Sequence, residues 1–406
     1  MNTIFIESVL LNDETTNILI ENKHIAGIGK DLSMPANAIK IDGHHLAAFP
    51  TFANMHTHAA MNLFRGYAND LPLNTWLNDW IWPKEKRLDD EIVYWGVRLA
   101  CTEMIKSGTT AFSDMYFHIP AEAKAVGEMK IRGTLGINVF GDGDEITEQY
   151  IEETLEAIEP YREYVKIALG PHAIYTVSEK GLKHTAEISR KYGLLYNIHM
   201  SETEEEVANC LQQHQCRPYE YLERIGVLDN TEGLFIGAHS LYLDENEIAI
   251  LGRHHATVVH NPCSNLKLGS GHFFQYAELR DAGVNVTLGT DGCSSSNNLD
   301  IIDAAKFMSY LQKGIRKNPT ILPASELMQV ATTNGFKALK TNAGTLEVGK
   351  CADLMLIDLD NIAFVPNNNT LANLIYAAHG DVVDTVICNG EILMQHRSLP
   401  SERETI

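Results

Sequence analysis

The chain has 406 residues, 45% hydrophobic and 21% charged, values of an ordinary folded protein that exclude a disordered or fibrous chain. Thirty-two basic residues face 53 acidic ones, and a net charge of -21 opposes capture of a nucleic-acid backbone or an anionic membrane. A small molecule is the expected partner, with no nucleic acid and no membrane.

In chain order, residues 3–6, 17–21 and 24–28 read as short strands separated by polar turns. The opening segment lacks a basic stretch followed by an apolar one, and no apolar run reaches membrane-spanning length. Seven cysteines, odd in number and without a C-x-x-C pair, read as free thiols, so a cytoplasmic location is expected.

From about residue 48 the pattern changes to apolar runs alternating with amphipathic helices. Strands are predicted at 48–53, 109–112, 134–139, 165–169, 195–198, 234–238, 257–259 and 284–288. Helices are predicted at 89–107, 178–192, 244–254 and 299–314, several behind an Asp or Ser cap. An eight-stranded β/α barrel accounts for this order, whereas a doubly wound sheet would call for a G-x-G-x-x-G after an early strand, and none is present. Strand-like runs return at 352–357, 383–388 and 391–394, the last two joined by an Asn389-Gly390 turn. The predicted fold is therefore α/β: a (β/α)8 TIM-like barrel over 48–342, beside a small β-sandwich domain made from both termini, 1–47 and 343–406.

Chemistry-bearing residues gather where those strands end. His56 and His58 follow the first, and alternate strand residues share a face. With 17 histidines in the chain, chance alone supplies about one H-x-H pair, so position carries the argument: barrel enzymes build their sites at the C-terminal ends of strands. His199 closes the fifth strand with Glu202 three residues on, a spacing that composition alone would produce about twice. His239 ends the sixth strand and Asp291 the eighth, between glycines that permit a tight turn. Their coincidence on one rim predicts a metal site with an open position for water, suited to zinc first and iron second. A second metal would need a bridging ligand such as a lysine at the end of the fourth strand. That segment reads Leu169-Gly170-Pro171-His172, with Lys166 nearer the strand's start, so one divalent metal is expected.

The set His56/His58, His199, His239 and Asp291 resembles the amidohydrolase superfamily, specifically its cytosine-deaminase-like branch, and Glu202 in H-x-x-E resembles the mark of its deaminases. The stretches 261–271 (NPCSNLKLGSG), 289–298 (GTDGCSSSNN) and 344–353 (GTLEVGKCAD) are similar to methylthioadenosine/S-adenosylhomocysteine deaminases, and the similarity spans nearly the whole chain. The resemblance implies that His56, His58, His199 and Asp291 bind the metal, that Glu202 and His239 handle protons, and that Glu85 and His172 contact the sugar. It implies hydrolytic deamination of adenosine-type nucleosides such as 5′-methylthioadenosine, 5′-deoxyadenosine, adenosine or S-adenosylhomocysteine. Another aminated ring (guanine, pterin, chlorotriazine or aminodeoxyfutalosine) and a non-catalytic scaffold are the alternatives.

Composition alone allows Glu85 to be a solvated charge between Lys84 and Lys86. Trp76, Trp80 and Trp82 are candidates for a lid, or for a plain apolar cluster. Members that use S-adenosylhomocysteine resemble one another in presenting arginines after the third strand. Here that stretch, residues 139–145, is VFGDGDE, so a neutral 5′ group is expected, with Arg132 and Arg162 left as the arginines that could still reach the site. Cys263 and Cys293 are expected to pack or line rather than react, and His118, His260 and His272 to be structural. A homo-oligomer is a weaker expectation.

Overall fold

The structure, a computed structural model, describes residues 3–406. Eight parallel strands are hydrogen-bonded in chain order: Phe52–Thr57, Thr109–Tyr116, Arg132–Val139, Val165–Pro171, Leu195–Met200, Phe235–His239, Thr257–His260 and Asn285–Leu288. Every residue of the first, second, fifth, sixth and seventh is buried, as parallel strands wrapped by helices require. The surrounding helices include Asp90–Lys106, Glu179–Tyr192, Glu245–Arg253 and Ile301–Arg316, each within two residues of its predicted bounds. Asp89, Ser178, Asp244 and Asp300 cap them, each side chain accepting a first-turn N–H.

The first and eighth strands meet through side-chain and end contacts. The buried Asn54 amide donates to Thr290 Oγ1 at 2.7 Å and accepts from Thr290 N at 3.1 Å, while Asp291 N donates to His56 O at 2.9 Å. Glycine is needed at 289, where a Cβ would stand 2.4 Å from Asn261 Oδ1 and 2.8 Å from His56 O. Barrel closure thus brings Asp291 against the strand that carries His56 and His58.

The run expected as one strand at 48–53 is two strands. Leu46–Pro50 belongs to the terminal sheet, between Thr3–Leu11 and Leu354–Asp358, and only Phe52–Thr57 enters the barrel. The apolar run is continuous across both, so periodicity could not divide it; the break follows Pro50, which has no N–H to continue a ladder.

The two termini join in one eight-stranded mixed sheet, running from Glu391–Met394 through Val383–Cys388, Leu354–Asp358, Leu46–Pro50, Thr3–Leu11 and Glu14–Glu21 to His24–Gly29, with Ile39–Asp42 beside Thr3–Leu11. Ile4, Ile6, Ile18 and Ile20 from one end share an apolar cluster with Leu354, Leu356 and Ile387 from the other. Below the barrel, Arg132 is clamped by Asp353 at 2.9 and 3.2 Å and by Asn389 at 3.0 Å, which ties the third strand's foot to this sheet. Among the described residues no helix is long and apolar enough to cross a membrane.

Candidate active site

The strand ends deliver His56, His58 and His199 to one point, their ligand nitrogens within 4.8 Å of one another. His58 Nδ1 lies 2.7 Å from Met115 O, and His199 Nδ1 lies 2.7 Å from His172 O. Each Nδ1–H donates to its carbonyl, which leaves Nε2 of both rings turned inward with a free lone pair. Those two Nε2 atoms are 3.4 Å apart, and the buried Nε2 of His56 has no hydrogen-bond partner. Lone pairs so close repel unless a cation lies among them, so the donor set fits a divalent metal.

Asp291 completes the cluster, with Oδ1 3.2 Å from His58 Nε2 and 3.5 Å from His56 Nε2. Its other oxygen accepts from Ser264 Oγ at 2.6 Å and Ser295 Oγ at 2.9 Å. Burial opposes its charge, yet the imidazoles of His56 and His58 outweigh burial and hold the carboxyl well below the usual range. Burial likewise disfavours a charge on His58, but its hydrogen bond to Asp291 and that carboxylate's charge push it up to about 9. His56 is pushed down to about 4, chiefly by burial, and burial with the neighbouring imidazoles sends His199 well below its ordinary value. A metal bound here would therefore compete with a proton for the His58 Nε2 lone pair.

Glu202 and His239 stand beside this cluster. His239 Nε2 is 3.8 Å from Glu202 Oε2, and Ser270 Oγ is 3.5 Å from Glu202 Oε1. Burial raises the Glu202 pKa, so this carboxyl retains its proton to higher pH than an exposed one. Two asparagines approach the other nitrogen of His239, Asn265 Nδ2 at 2.9 Å and Asn261 Nδ2 at 3.3 Å. His239 and Asp291 both adopt left-handed backbone, φ 68° and 62°, which turns each strand end back over the barrel.

Above the cluster opens a cavity of about 610 Å³. His58, His199, Glu202, His239 and Asp291 reach it from the floor. Its cover comes from the segment after the first strand, which contributes Trp76, Trp82 and Glu85; Trp80, expected with them, does not line it and instead meets Tyr67 edge-on at 5.7 Å. Glu85 is partly buried and its pKa is raised, chiefly by burial, with the Tyr116 hydroxyl partly offsetting this. His172 lines the cavity too, its pKa pushed down to about 3, first by burial and then by neighbouring imidazoles.

Neither arginine left open by the sequence reaches the cavity. Arg132 is spent on Asp353 at the opposite end of its strand, and Arg162 is exposed and paired with Glu159. Lys166 likewise points to the barrel's foot, donating to Leu339 O at 3.1 Å. His118, expected to be structural, lines the cavity while paired with Asp90 at 2.6 Å. His260 stacks on Phe274 and His272 packs on Tyr242, both outside the cavity lining. Cys263 and Cys293 do not line it, and burial raises both thiol pKa values. Sequence reasoning missed Ser264, Ser295 and Asn265 as partners of Asp291 and His239, although the stretches 261–271 and 289–298 that contain them stood out.

A nearly closed β/α barrel with three convergent histidines, an aspartate and a buried glutamate at the C-terminal rim is the frame of a metal-dependent hydrolase. Residues 47–393 match the amidohydrolase family, and the chain belongs to it. It is 44% identical over 90% of its length to a 5′-deoxyadenosine deaminase from Methanoregula boonei, covering 83% of that protein. It is 41% identical to 5-methylthioadenosine/S-adenosylhomocysteine deaminase 1 from Archaeoglobus fulgidus, over 96% of this chain and 92% of that one. Among solved structures, an adenosine deaminase from Xanthomonas campestris with bound zinc superposes with a TM-score of 0.91 at 30% identity, covering 98% of this chain and 94% of that one. The chain is accordingly a hydrolytic deaminase.

Proposed function

We propose that this enzyme converts adenosine-type nucleosides with a neutral 5′ group to the inosine analogue and ammonia, using one divalent metal at His56, His58, His199 and Asp291. The observation that carries this reading is Glu202, buried on the floor of the cavity beside the imidazole cluster, where burial raises its proton affinity. Zinc is the first choice of metal and iron the second; either would supply Lewis-acid activation of water near neutral pH.

The chain's own groups account for the proton movements. Asp291, kept ionised and aimed by Ser264 and Ser295, accepts a proton from the attacking water, and His239 orients that water. Glu202 gives its proton to ring nitrogen N1 as the water oxygen bonds to C6, so charge does not build on the ring. The proton taken up by Asp291 then passes to the departing amino group, the C6–N bond breaks as the C6 hydroxyl gives its proton to the Glu202 carboxylate, and ammonia leaves a 6-oxo ring with Glu202 restored as the acid. Glu85 accepts hydrogen bonds from the ribose hydroxyls, with His172 near the sugar.

Two features support a neutral 5′ group. Among the described residues no arginine lines the cavity, while Phe117, Phe140 and His172 form a stacked aromatic wall, with centroids 6.3 and 5.0 Å apart. The acidic loop spends Asp142 and Asp144 on Ser178 and Lys180. We expect kcat/KM for 5′-methylthioadenosine to exceed that for S-adenosylhomocysteine by about tenfold or more, because the latter's carboxylate meets no bidentate partner. Equal values would remove the 5′ assignment. Glu85→Gln weakens a charge-assisted hydrogen bond, so KM for 5′-methylthioadenosine should rise at least about tenfold with kcat within about threefold. An unchanged KM would take Glu85 out of ribose recognition. Free thiols throughout support a reducing, cytoplasmic setting.

A further inference from the structure

Between the fifth strand and the helix Glu204–His214 lies a three-residue link, Ser201-Glu202-Thr203, and the proton donor proposed above is its middle residue. The run Thr203-Glu204-Glu205-Glu206 has the spacing of a capping box, in which the third helical residue returns a hydrogen bond to the cap's own N–H. Thr203 fulfils its half, Oγ1 accepting from Glu206 N at 3.2 Å. The Glu206 side chain reaches past that target: one carboxylate oxygen accepts from Ser201 N at 2.7 Å and the other from Glu202 N at 2.8 Å.

This grip falls on a backbone that would not hold its shape unaided. Ser201 has left-handed φ, +49°, a conformation that non-glycine residues keep only when their surroundings impose it. From the other side, Ser201 O accepts from Leu241 N at 3.0 Å and Tyr242 N at 3.1 Å, and Met200 O accepts from Ser240 N at 2.8 Å. The link bearing Glu202 is therefore clamped between the buried Glu206 carboxyl and the loop that follows His239. An ordinary capping box would serve helix stability; a carboxylate spent on the N–H of Glu202 and of its neighbour fixes where the Glu202 side chain starts.

We infer that Glu206 is the positioning residue for Glu202, its carboxylate holding the Ser201 and Glu202 N–H groups so that the Glu202 carboxyl meets the ring nitrogen in register. This rests on the reading of Glu202 as the proton donor. Misplacing a reacting group by about 1 Å costs on the order of a hundredfold, so loosening this link should act on turnover and leave binding alone.

The test compares Glu206→Gln, Glu202→Gln and the double variant in the metal-loaded full chain. Glu206→Gln turns one acceptor into an amide N–H that faces a backbone N–H. It should lower kcat by roughly ten- to a hundredfold, with KM within about twofold and metal content unchanged. In the Glu202→Gln background the same change should cost less than about twofold, since no acid remains to be misplaced. Glu206→Asp keeps the carboxyl group but is one methylene too short to reach both N–H groups, and serves if Glu206→Gln does not fold; it should shift kcat in the same direction. Wild-type kcat in both Glu206 variants, a loss of metal, or losses that multiply in the double variant would overturn the inference. Near-normal kcat in Glu202→Gln would overturn the reading beneath it instead.

Discussion

Glu202→Gln is expected to lower kcat about a thousandfold while metal content and KM stay near wild type. General acid catalysis contributes about 10²- to 10⁴-fold, and glutamine matches glutamate in shape but has no acidic proton to give. The residue is 9% exposed, burial raises its proton affinity, and its neighbours are Ser270 Oγ and His239 Nε2. Glutamine keeps the size of the side chain it replaces, so the melting temperature should move by only a few degrees. Steady-state kinetics alongside metal analysis decides the matter. Retention of more than about a tenth of wild-type kcat would mean that the proton reaches the ring from another group.

The second large effect is expected at His199. Its Nδ1–H is tied to His172 O, its ring is packed 4.8 Å from that of His56 and 5.4 Å from that of His58, and its Nε2 faces that of His58 at 3.4 Å. His199→Ala removes one of three convergent imidazoles and leaves a site open to water. Metal content of the purified variant should fall below about a tenth of an equivalent, and turnover should fall to background. Wild-type protein stripped of metal should regain melting temperature when zinc is added, because a ligand at a thousand times its Kd stabilises the folded state by about 4 kcal/mol. The variant should show no such response. A full equivalent of tightly held metal in His199→Ala would place the ion elsewhere.

The sequence made the rim legible because a barrel turns strand order into spatial order. His56, His58, His199, His239 and Asp291 are separated by up to 235 residues, yet each sits at or just past the end of an apolar run, and the nearly closed sheet brings those ends together. What sequence could not show is which side chains complete contacts across the rim. Ser264 reaches Asp291 across 27 positions, and Asn265 reaches His239 across 26. Such pairings depend on loop conformation, which hydrophobic periodicity does not encode. The same limit explains Trp80, which shares a helical segment with the cavity-lining Trp76 but faces Tyr67. It also explains His118, whose place at the cavity is set by a left-handed backbone, φ 63°, ahead of a helix. At the first strand the failure was of a different kind: two apolar strands in different sheets abut at Thr51, and only Pro50 marks the join.

The electrostatics add what neither composition nor motif provides. The imidazoles beside Asp291 keep it ionised, while burial keeps Glu202 protonated to higher pH. Two carboxyl groups on one cavity floor are thereby separated into a proton acceptor and a proton donor. That division of roles is the core of the proposed chemistry, and it depends on placement in the fold.

The most direct measurement is ammonia release by the zinc-loaded chain, with 5′-methylthioadenosine, 5′-deoxyadenosine, adenosine, guanine and cytosine supplied at one concentration. The account predicts one ammonia and one inosine-type product per adenosine-type nucleoside consumed, with guanine and cytosine untouched. Full metal occupancy with no ammonia from any of the three nucleosides would contradict it.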